Sequence, residues 1–157
     1  MSHEAIVELP SLAQALSVLV RLFLAAVLGG ILGWERERLG KTAGLRTHML
    51  VSLGSALFVL APLEAGATAG DLTRVVQGIA TGIGFVGAGA ILKLEGQGQV
   101  KGLTTASTVW IAAAVGMAVG VGLFWVSAVG TALGLCILVV LRRLEGLLAH
   151  PHAHDTT

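Results

Sequence analysis

The residues most able to do chemistry in this sequence are a few charges in or beside long apolar runs. Arg21 is followed by thirteen uncharged residues, and Asp71 and Arg74 lie three positions apart at the start of another run. A charge inside a membrane costs at least about 2.5–3.5 kcal/mol, so it needs a partner or access to water. We therefore expect Asp71 to pair with Arg21, unless Arg21 reaches the membrane surface by snorkelling.

The sequence after Asp71 predicts a helix with two different faces. At 100° per residue its branched residues fall on one side, and its polar and small residues fall within an arc of roughly 160° on the other. We predict that the branched side faces lipid, and that the polar side faces protein or an outward-facing polar vestibule. In the simpler alternative, Asp71 is only an N-cap and Arg74 only an interface anchor. The polar and small side comprises Arg74, Gln77, Gly78, Thr81, Gly82, Phe85, Ala88 and Gly89.

The sequence offers no set of residues for catalysis or for holding a cofactor. His48 is the only histidine outside the termini, so no Ser-His-Asp or Cys-His set can be assembled, and no pair of carboxylates lies within an apolar run. Gly82, Gly84 and Gly87 spell GxGxxG, but a dinucleotide-binding loop must follow a strand. We predict a protein that is not an enzyme and has no catalytic residue, cofactor or metal. The C-terminal tail carries possible ligands of a kind that is more often incidental: His150, His152, His154 and Asp155.

Composition places the chain in a membrane. Of its 157 residues 55% are hydrophobic and 12% charged, and its mean hydropathy is +0.87, whereas soluble domains have roughly a quarter of charged residues. These figures exclude a disordered chain, a soluble domain and a disulfide scaffold. A net charge of +1 with dispersed Lys and Arg residues also excludes nucleic acid as a partner. The lipid bilayer is the partner that remains.

Five segments come near the roughly 20 apolar residues that a membrane-spanning helix needs. The second is the weakest, with 15 residues from Met49 to Leu63, and the last two share one 33-residue run that must turn near Gly120 and Gly122. We predict an all-α membrane protein, a compact bundle of about five transmembrane helices with glycine-rich interfaces. The predicted spans are residues 12–34, 47–63, 74–92, 104–121 and 124–141, between an extracytoplasmic segment 1–11 and a cytoplasmic, histidine-containing tail 143–157.

Cations predict the orientation of this bundle. Cytoplasmic loops carry an excess of Lys and Arg, and eight of the ten such residues lie at one end of the five spans, whereas Arg21 and Arg74 lie toward the other. We therefore predict an outside N-terminus and a cytoplasmic C-terminus.

Two cytoplasmic segments contain candidate functional residues. The loop 34–48 is either only an anchor that sets topology, or its residues pair across the mouths of the first two helices and fix their register. The residues that would pair are Glu35, Arg36, Arg46 and Thr47. The residues after Gly102 predict a helix start with hydroxyl caps: Thr104, Thr105 and Ser107.

Glycine makes up 22 of the 157 residues, twice the usual share of about 7%, and it follows a pattern. Glycines spaced by four lie on one helix face and let backbones approach closely, either within one bundle or between copies. Every predicted span except the second has such a pair: Gly29 and Gly33, Gly78 and Gly82, Gly116 and Gly120, Gly130 and Gly134. In the third span the pattern continues through Gly84, Gly87 and Gly89.

Several of these motifs occur in an order typical of a known family. They are Arg21-Leu22, Gly29-Gly30, Gly33, Glu35-Arg36, Ala43-Gly44-Leu45-Arg46-Thr47-His48, Asp71 with Arg74, the glycine-rich residues 82–89, and residues 102–107 with Trp110. Over residues 18–142 the sequence resembles the MgtC/SapB family of bacterial inner-membrane proteins. The resemblance implies a transmembrane domain at 12–142 in a multi-pass plasma-membrane protein. It also implies a role in adaptation to low magnesium and, in pathogens, in survival inside macrophages.

The resemblance further implies a mode of action. Members closest to MgtC restrain the F-type ATP synthase rather than carry magnesium, and they have an ACT-like soluble domain at the C-terminus. This chain ends about 15 residues after its last predicted span. We therefore expect a short SapB-like member without that domain.

Two functions of different class follow from these observations. The first is a non-catalytic regulator that packs its glycine faces against a second copy of itself or against another membrane protein. The resemblance implies that this other protein is ATP synthase. The second is a small oligomeric transporter or channel whose polar path includes Arg21, Asp71, Arg74 and Gln77. We favour the regulator because the predicted spans contain no carboxylate that could hold Mg²⁺ through oxygen ligands.

Overall fold

The computed structural model describes residues 10–93 and 100–144, which form five helices and one short hairpin. The helices are α1 (Leu12–Arg38), α2 (Leu45–Glu64), α3 (Ala69–Gly89), α4 (Leu103–Val121) and α5 (Phe124–Cys136), and α5 continues into a π-helical turn at Ile137–Leu141. Strands β1 (Leu92–Lys93) and β2 (Val100–Lys101) pair antiparallel between α3 and α4. The predicted all-α bundle is confirmed, with this two-residue pairing as a feature of one loop.

The centre of the bundle is formed by α2 and α4. The most extensive helix contacts are those of α2 with α1 and with α4, whereas α5 flanks α1 and α4. Where α1, α2 and α4 meet, Ala25, Ala56 and Val119 are fully buried together. Small side chains at a helix contact are a main source of association in lipid, where the hydrophobic effect adds little. By contrast, α3 lies against α2 and α4 and buries only Gly87.

Two glycines in the left-handed backbone region set the turns on either side of α4. Gly102 precedes the helix at φ +100° and Gly122 follows it at φ +93°. A side chain at Gly102 would also collide with the carbonyl oxygen of Ala90, so only glycine fits there. The turn predicted near Gly122 is present. The predicted hydroxyl caps of α4 are absent, because Gly102 is its N-cap and no side chain caps it.

Four of the described helices are long and apolar enough to cross a membrane: α1, α2, α4, and α5 extended to Leu144. The second span, which was the weakest prediction, corresponds to α2 and is among these four. Because α2 begins already at Leu45, it has 20 residues, or about 30 Å of helix. Although α3 has 21 residues, it is not among the four. These helices define a membrane protein, while the side on which each terminus lies stays a prediction.

Candidate functional site

Polar side chains from four helices meet at one end of the bundle, where α1 and α5 end and α2 and α4 begin. We call this the basic end, defined as residues 35–48, 101–108 and 142–143, because most of the cations of the chain lie there. Glu35 and Arg36 are only 8% and 5% exposed, and His48 is fully buried. Charged residues are almost never this buried unless they are paired, so their contacts identify the candidate site.

Arg36 and Glu35 connect α1 to α4 and α5. Nη2 of Arg36 donates to Oγ1 of Thr105 at 3.0 Å, and its Nη1 lies 3.8 Å from Glu35. Oε1 of Glu35 is 3.3 Å from Nη1 of Arg142 on α5, and neither Glu35 oxygen accepts a hydrogen bond from the part of the chain that the structure describes. One buried carboxylate is therefore shared electrostatically by two guanidinium groups, and it holds together the ends of two helices.

His48 connects α2 to α4. Its Nδ1 is 2.8 Å from the carbonyl oxygen of Gly44, and because a carbonyl can only accept, Nδ1 carries the proton. Its Nε2 is 3.1 Å from Oγ1 of Thr108, which in turn is 2.9 Å from the carbonyl oxygen of Thr105. Polar contacts are therefore continuous from Arg36 through α4 to His48.

One turn further into the bundle, Ser52 connects α2 to α1. Its buried hydroxyl donates to the carbonyl oxygen of Ala25 at 2.7 Å. We expect Ser52→Ala to lower the free energy of unfolding in detergent by about 0.6 kcal/mol, the mean for a hydrogen bond between membrane helices. Ser107→Ala is the control, because the exposed Ser107 donates to Leu103 of its own helix. Equal losses in both variants would contradict a role for Ser52 between helices.

The start of α2 is fixed by a residue outside the predicted set. Oε2 of Glu37 accepts from the backbone N–H of Leu45 at 2.9 Å, and a Cβ at Gly44 would collide with this carboxylate. Arg46 is exposed, and Thr47 is half-buried beside a small cavity between α2, α3 and α4. The predicted pairing across the mouths of α1 and α2 is therefore replaced by the Glu37 contact.

Glycines on both flanking helices let α2 lie close to α1 and α4. A Cβ added at Gly29 or Gly33 of α1 would come within 2.6 Å or 2.8 Å of atoms in α2. On α4, a Cβ at Gly116 would overlap the carbonyl oxygen of Ser52, and one at Gly120 would lie 2.9 Å from another carbonyl oxygen of α2. Two of the four predicted glycine pairs thus pack against the one span that has no pair of its own.

The other glycines of the pattern are packed less tightly. The nearest neighbour of an added Cβ would lie 3.3 Å away at Gly134, 3.5 Å away at Gly87 and 3.9 Å away at Gly130. These values are at, or slightly below, ordinary contact distance. Four glycines of α3 have no described atom within 4 Å of such a Cβ: Gly78, Gly82, Gly84 and Gly89. The glycine-rich stretch of α3 is therefore not explained by packing among residues 10–93 and 100–144.

Arg21 lies at the end of the bundle opposite the basic end, against the C-terminus of α4. Its Nη1 donates to the carbonyl oxygen of Gly120 at 3.1 Å, and its guanidinium group lies beside Gly122. The last carbonyl groups of a helix have no partner within the helix and carry partial negative charge, which suits a cation. Arg21 therefore binds the end of α4 instead of its predicted partner Asp71.

Asp71 and Arg74 form an exposed ion pair at the start of α3. Nη1 of Arg74 lies 3.0 Å from Oδ1 of Asp71. Asp71 is not the N-cap that the sequence predicted; the N-cap is Thr68, whose backbone N–H and hydroxyl both donate to Oδ2 of Asp71. This is a capping box, in which the two residues satisfy each other's polar groups at the helix start.

The branched side of α3 faces the protein and not lipid, contrary to the prediction. Four branched residues line a groove of about 580 Å³ against α2, together with two glycines from the predicted polar and small side: Val75, Ile79, Ile83 and Val86, with Gly78 and Gly82. The physical reason is that α2 presents apolar side chains to this groove, including Leu50 and Phe58. Arg74, Gln77 and Thr81 are instead exposed on the outer side of the bundle.

Sequence reasoning missed His48 and Ser52 as members of the site. A lone histidine and a lone hydroxyl form no recognisable motif. The available signal was their spacing, because His48, Ser52 and Ala56 recur every four residues and form a stripe of polar and small side chains on α2 that faces α1 and α4. Two residues predicted from the start of α4 are exposed: Thr104 and Ser107.

The helices, their glycine contacts and the buried charges together define a multi-pass helical membrane protein whose polar residues join helix ends. Residues 22–147 match the family model described as the MgtC family. The chain belongs to the MgtC family.

Three relatives show how far this similarity extends. The chain is 45% identical to SrpB of Synechococcus elongatus over 80% of its own length and 75% of that protein. It is 39% identical to "Putative magnesium transporter YhiD" of Escherichia coli, over 87% of this chain and 66% of that protein. It is 44% identical to MgtC of Brucella abortus, over 79% of this chain and 51% of that protein. The chain thus spans between about half and three quarters of these relatives. No solved structure matches it.

Proposed function

We propose that this chain is a non-catalytic regulator in the bacterial inner membrane that serves adaptation to low magnesium. It acts by packing against another membrane protein or a second copy of itself, with the basic end in the cytoplasm, where cationic loops lie. Membership of the MgtC family supports this proposal. The name of the relative YhiD also connects that protein with magnesium.

The outer face of α3 is the observation that carries the proposal. Gln77 and Thr81 are exposed there, and the Gln77 carboxamide makes no hydrogen bond to the described part of the chain. Polar groups without partners are costly in lipid, and such side chains commonly hydrogen-bond between helices. Gly84 lies seven residues from Gln77 and therefore on the same side of α3, and no described atom lies within 4 Å of a Cβ at Gly84, so another backbone could approach this face closely. These features support contact with a further helix.

The positions of the predicted path residues support regulation over transport through a single chain. Arg21 is engaged by the end of α4, while Asp71, Arg74 and Gln77 are on the outer side of α3. They do not converge inside the bundle, where glycine contacts bring α1, α2 and α4 together. A path that uses these residues would have to form between chains.

Cross-linking in living cells tests the partner. A photoreactive amino acid at Gln77 should give one discrete cross-linked species, because the outer face of α3 is covered by a partner. The same group at Trp125, which is 79% exposed on α5, is the control. Mass spectrometry of the product distinguishes a second copy from another protein. The proposal fails if Gln77 and Trp125 give the same lipid adducts and no protein product.

Flux and growth measurements separate the two functions. A regulator should give no magnesium flux in liposomes, and deletion of the protein should impair growth when magnesium is limiting. The double variant Gln77→Leu and Thr81→Leu should keep its unfolding temperature but fail to restore growth. Flux that is abolished by Asp71→Asn or Arg21→Ala would instead establish the transporter.

A further inference from the structure

A groove between α1, α2 and α5 runs from the basic end toward the middle of the bundle. Its volume is about 920 Å³, within the roughly 300–1,000 Å³ of small-molecule sites. Along α1 it extends from Val27 to Arg38, about 16 Å at the rise of a helix. Half of a bilayer's hydrocarbon core is about 15 Å thick, so the groove has the length of one lipid leaflet.

The lining of the groove changes along this length. Its inner part is apolar and is formed by Val27, Gly30, Ile31, Leu135 and Val139. Its outer part is cationic and is formed by Arg38, Arg142 and Arg143. Trp34 lines the groove between the two parts and is 57% exposed, as expected for tryptophan at a membrane interface. The groove is therefore amphipathic in the same direction as a lipid molecule.

We propose that this groove binds an anionic phospholipid, with its phosphate on the arginines and one acyl chain along the apolar part. Guanidinium groups bind phosphate through paired hydrogen bonds, and basic pockets between membrane helices suit anionic headgroups. A soluble phosphate compound would leave the apolar part of the groove unfilled. The occupant that matches both parts is a lipid.

The charges around the groove favour a ligand with net negative charge. Among the residues that the structure describes, its lining contains three arginines and one carboxylate, that of Glu35. The Glu35 oxygens are buried, and one lies 3.3 Å from Arg142, so Glu35 positions this arginine rather than meeting the ligand. Within residues 10–93 and 100–144, Arg38 and Arg143 take part in no ion pair. These two residues therefore supply the charge for binding.

Native mass spectrometry of the full chain in detergent tests the site. One phosphatidylglycerol molecule should remain bound under conditions that remove phosphatidylcholine, which has no net charge. Arg38→Gln and Arg143→Gln should each weaken retention about fivefold, as expected for one arginine near an anionic headgroup. Arg46→Gln is the matched control, because Arg46 is exposed at the basic end and lies outside the groove. Its retention should equal that of the unchanged protein.

Three outcomes would overturn the proposal. Equal retention of the two lipids would show that charge is not recognised. Equal weakening by Arg46→Gln would show that only the general charge of this end matters. Glycerol 3-phosphate has no acyl chain, and if it competed as effectively as phosphatidylglycerol, the groove would be a site for a soluble anion.

Discussion

Replacing Gly116 by alanine should lower the free energy of unfolding by about 3 kcal/mol, at the upper end for overpacking a core. The added methyl group would overlap the carbonyl oxygen of Ser52. This oxygen belongs to the backbone of α2, so no change of rotamer can relieve the overlap and the two central helices must separate. Chemical unfolding in detergent measures the loss.

Gly82→Ala is the matched control for this prediction. Gly82 is also a helical glycine, but a Cβ there has no neighbour within 4 Å in the part of the chain that the structure describes. Alanine is about 1 kcal/mol better than glycine inside a helix, so this variant should be as stable as the original or slightly more stable. If the two variants unfold alike, α2 and α4 are not in contact at Gly116.

Replacing Glu35 by alanine should cost about 3–5 kcal/mol, the range for breaking a buried ion pair by removing one partner. The carboxylate lies between Arg36 and Arg142. Without it the buried Arg36 keeps its charge and loses its counter-ion, and α5 loses its ion pair with α1. The unfolding temperature and the yield of folded protein should both fall.

A second substitution distinguishes charge from packing in this effect. Glu35→Ala combined with Arg36→Met removes both buried charges, and it should recover much of the lost stability, because an apolar replacement for a buried pair is often neutral. Glu64→Ala removes an exposed carboxylate at the other end of α2 and should change stability by less than about 0.5 kcal/mol. A double variant as unstable as Glu35→Ala would contradict the electrostatic explanation.

The helical architecture and part of its packing could be predicted from the sequence. Apolar runs and glycine spacing are local properties, so they located the helices and identified Gly29, Gly33, Gly116 and Gly120 as contact residues. They could not show that both pairs approach the same helix. That depends on how the helices are arranged around α2, and no local pattern encodes this arrangement.

The contacts of charged residues were harder to predict, because a long side chain can reach several partners. Arg21 was expected to bind Asp71, but it donates to the carbonyl oxygen of Gly120 at the end of α4. Asp71 was satisfied locally by Thr68 and Arg74. For α3 the error had another cause. We used polarity alone to predict which face of the helix packs against protein, whereas the apolar side chains of α2 face the branched residues of α3.

The limited burial of α3 has a consequence for how the protein is made. This helix falls short of the apolarity that the other four share, and Asp71 and Arg74 in its first turns oppose transfer from an insertion machinery into lipid. Its entry therefore depends on neighbours that are inserted before and after it. Because α3 lies against α2 and α4, we expect a substitution that separates these two helices to lower the fraction of chains in which α3 is inserted, in addition to loosening the finished bundle.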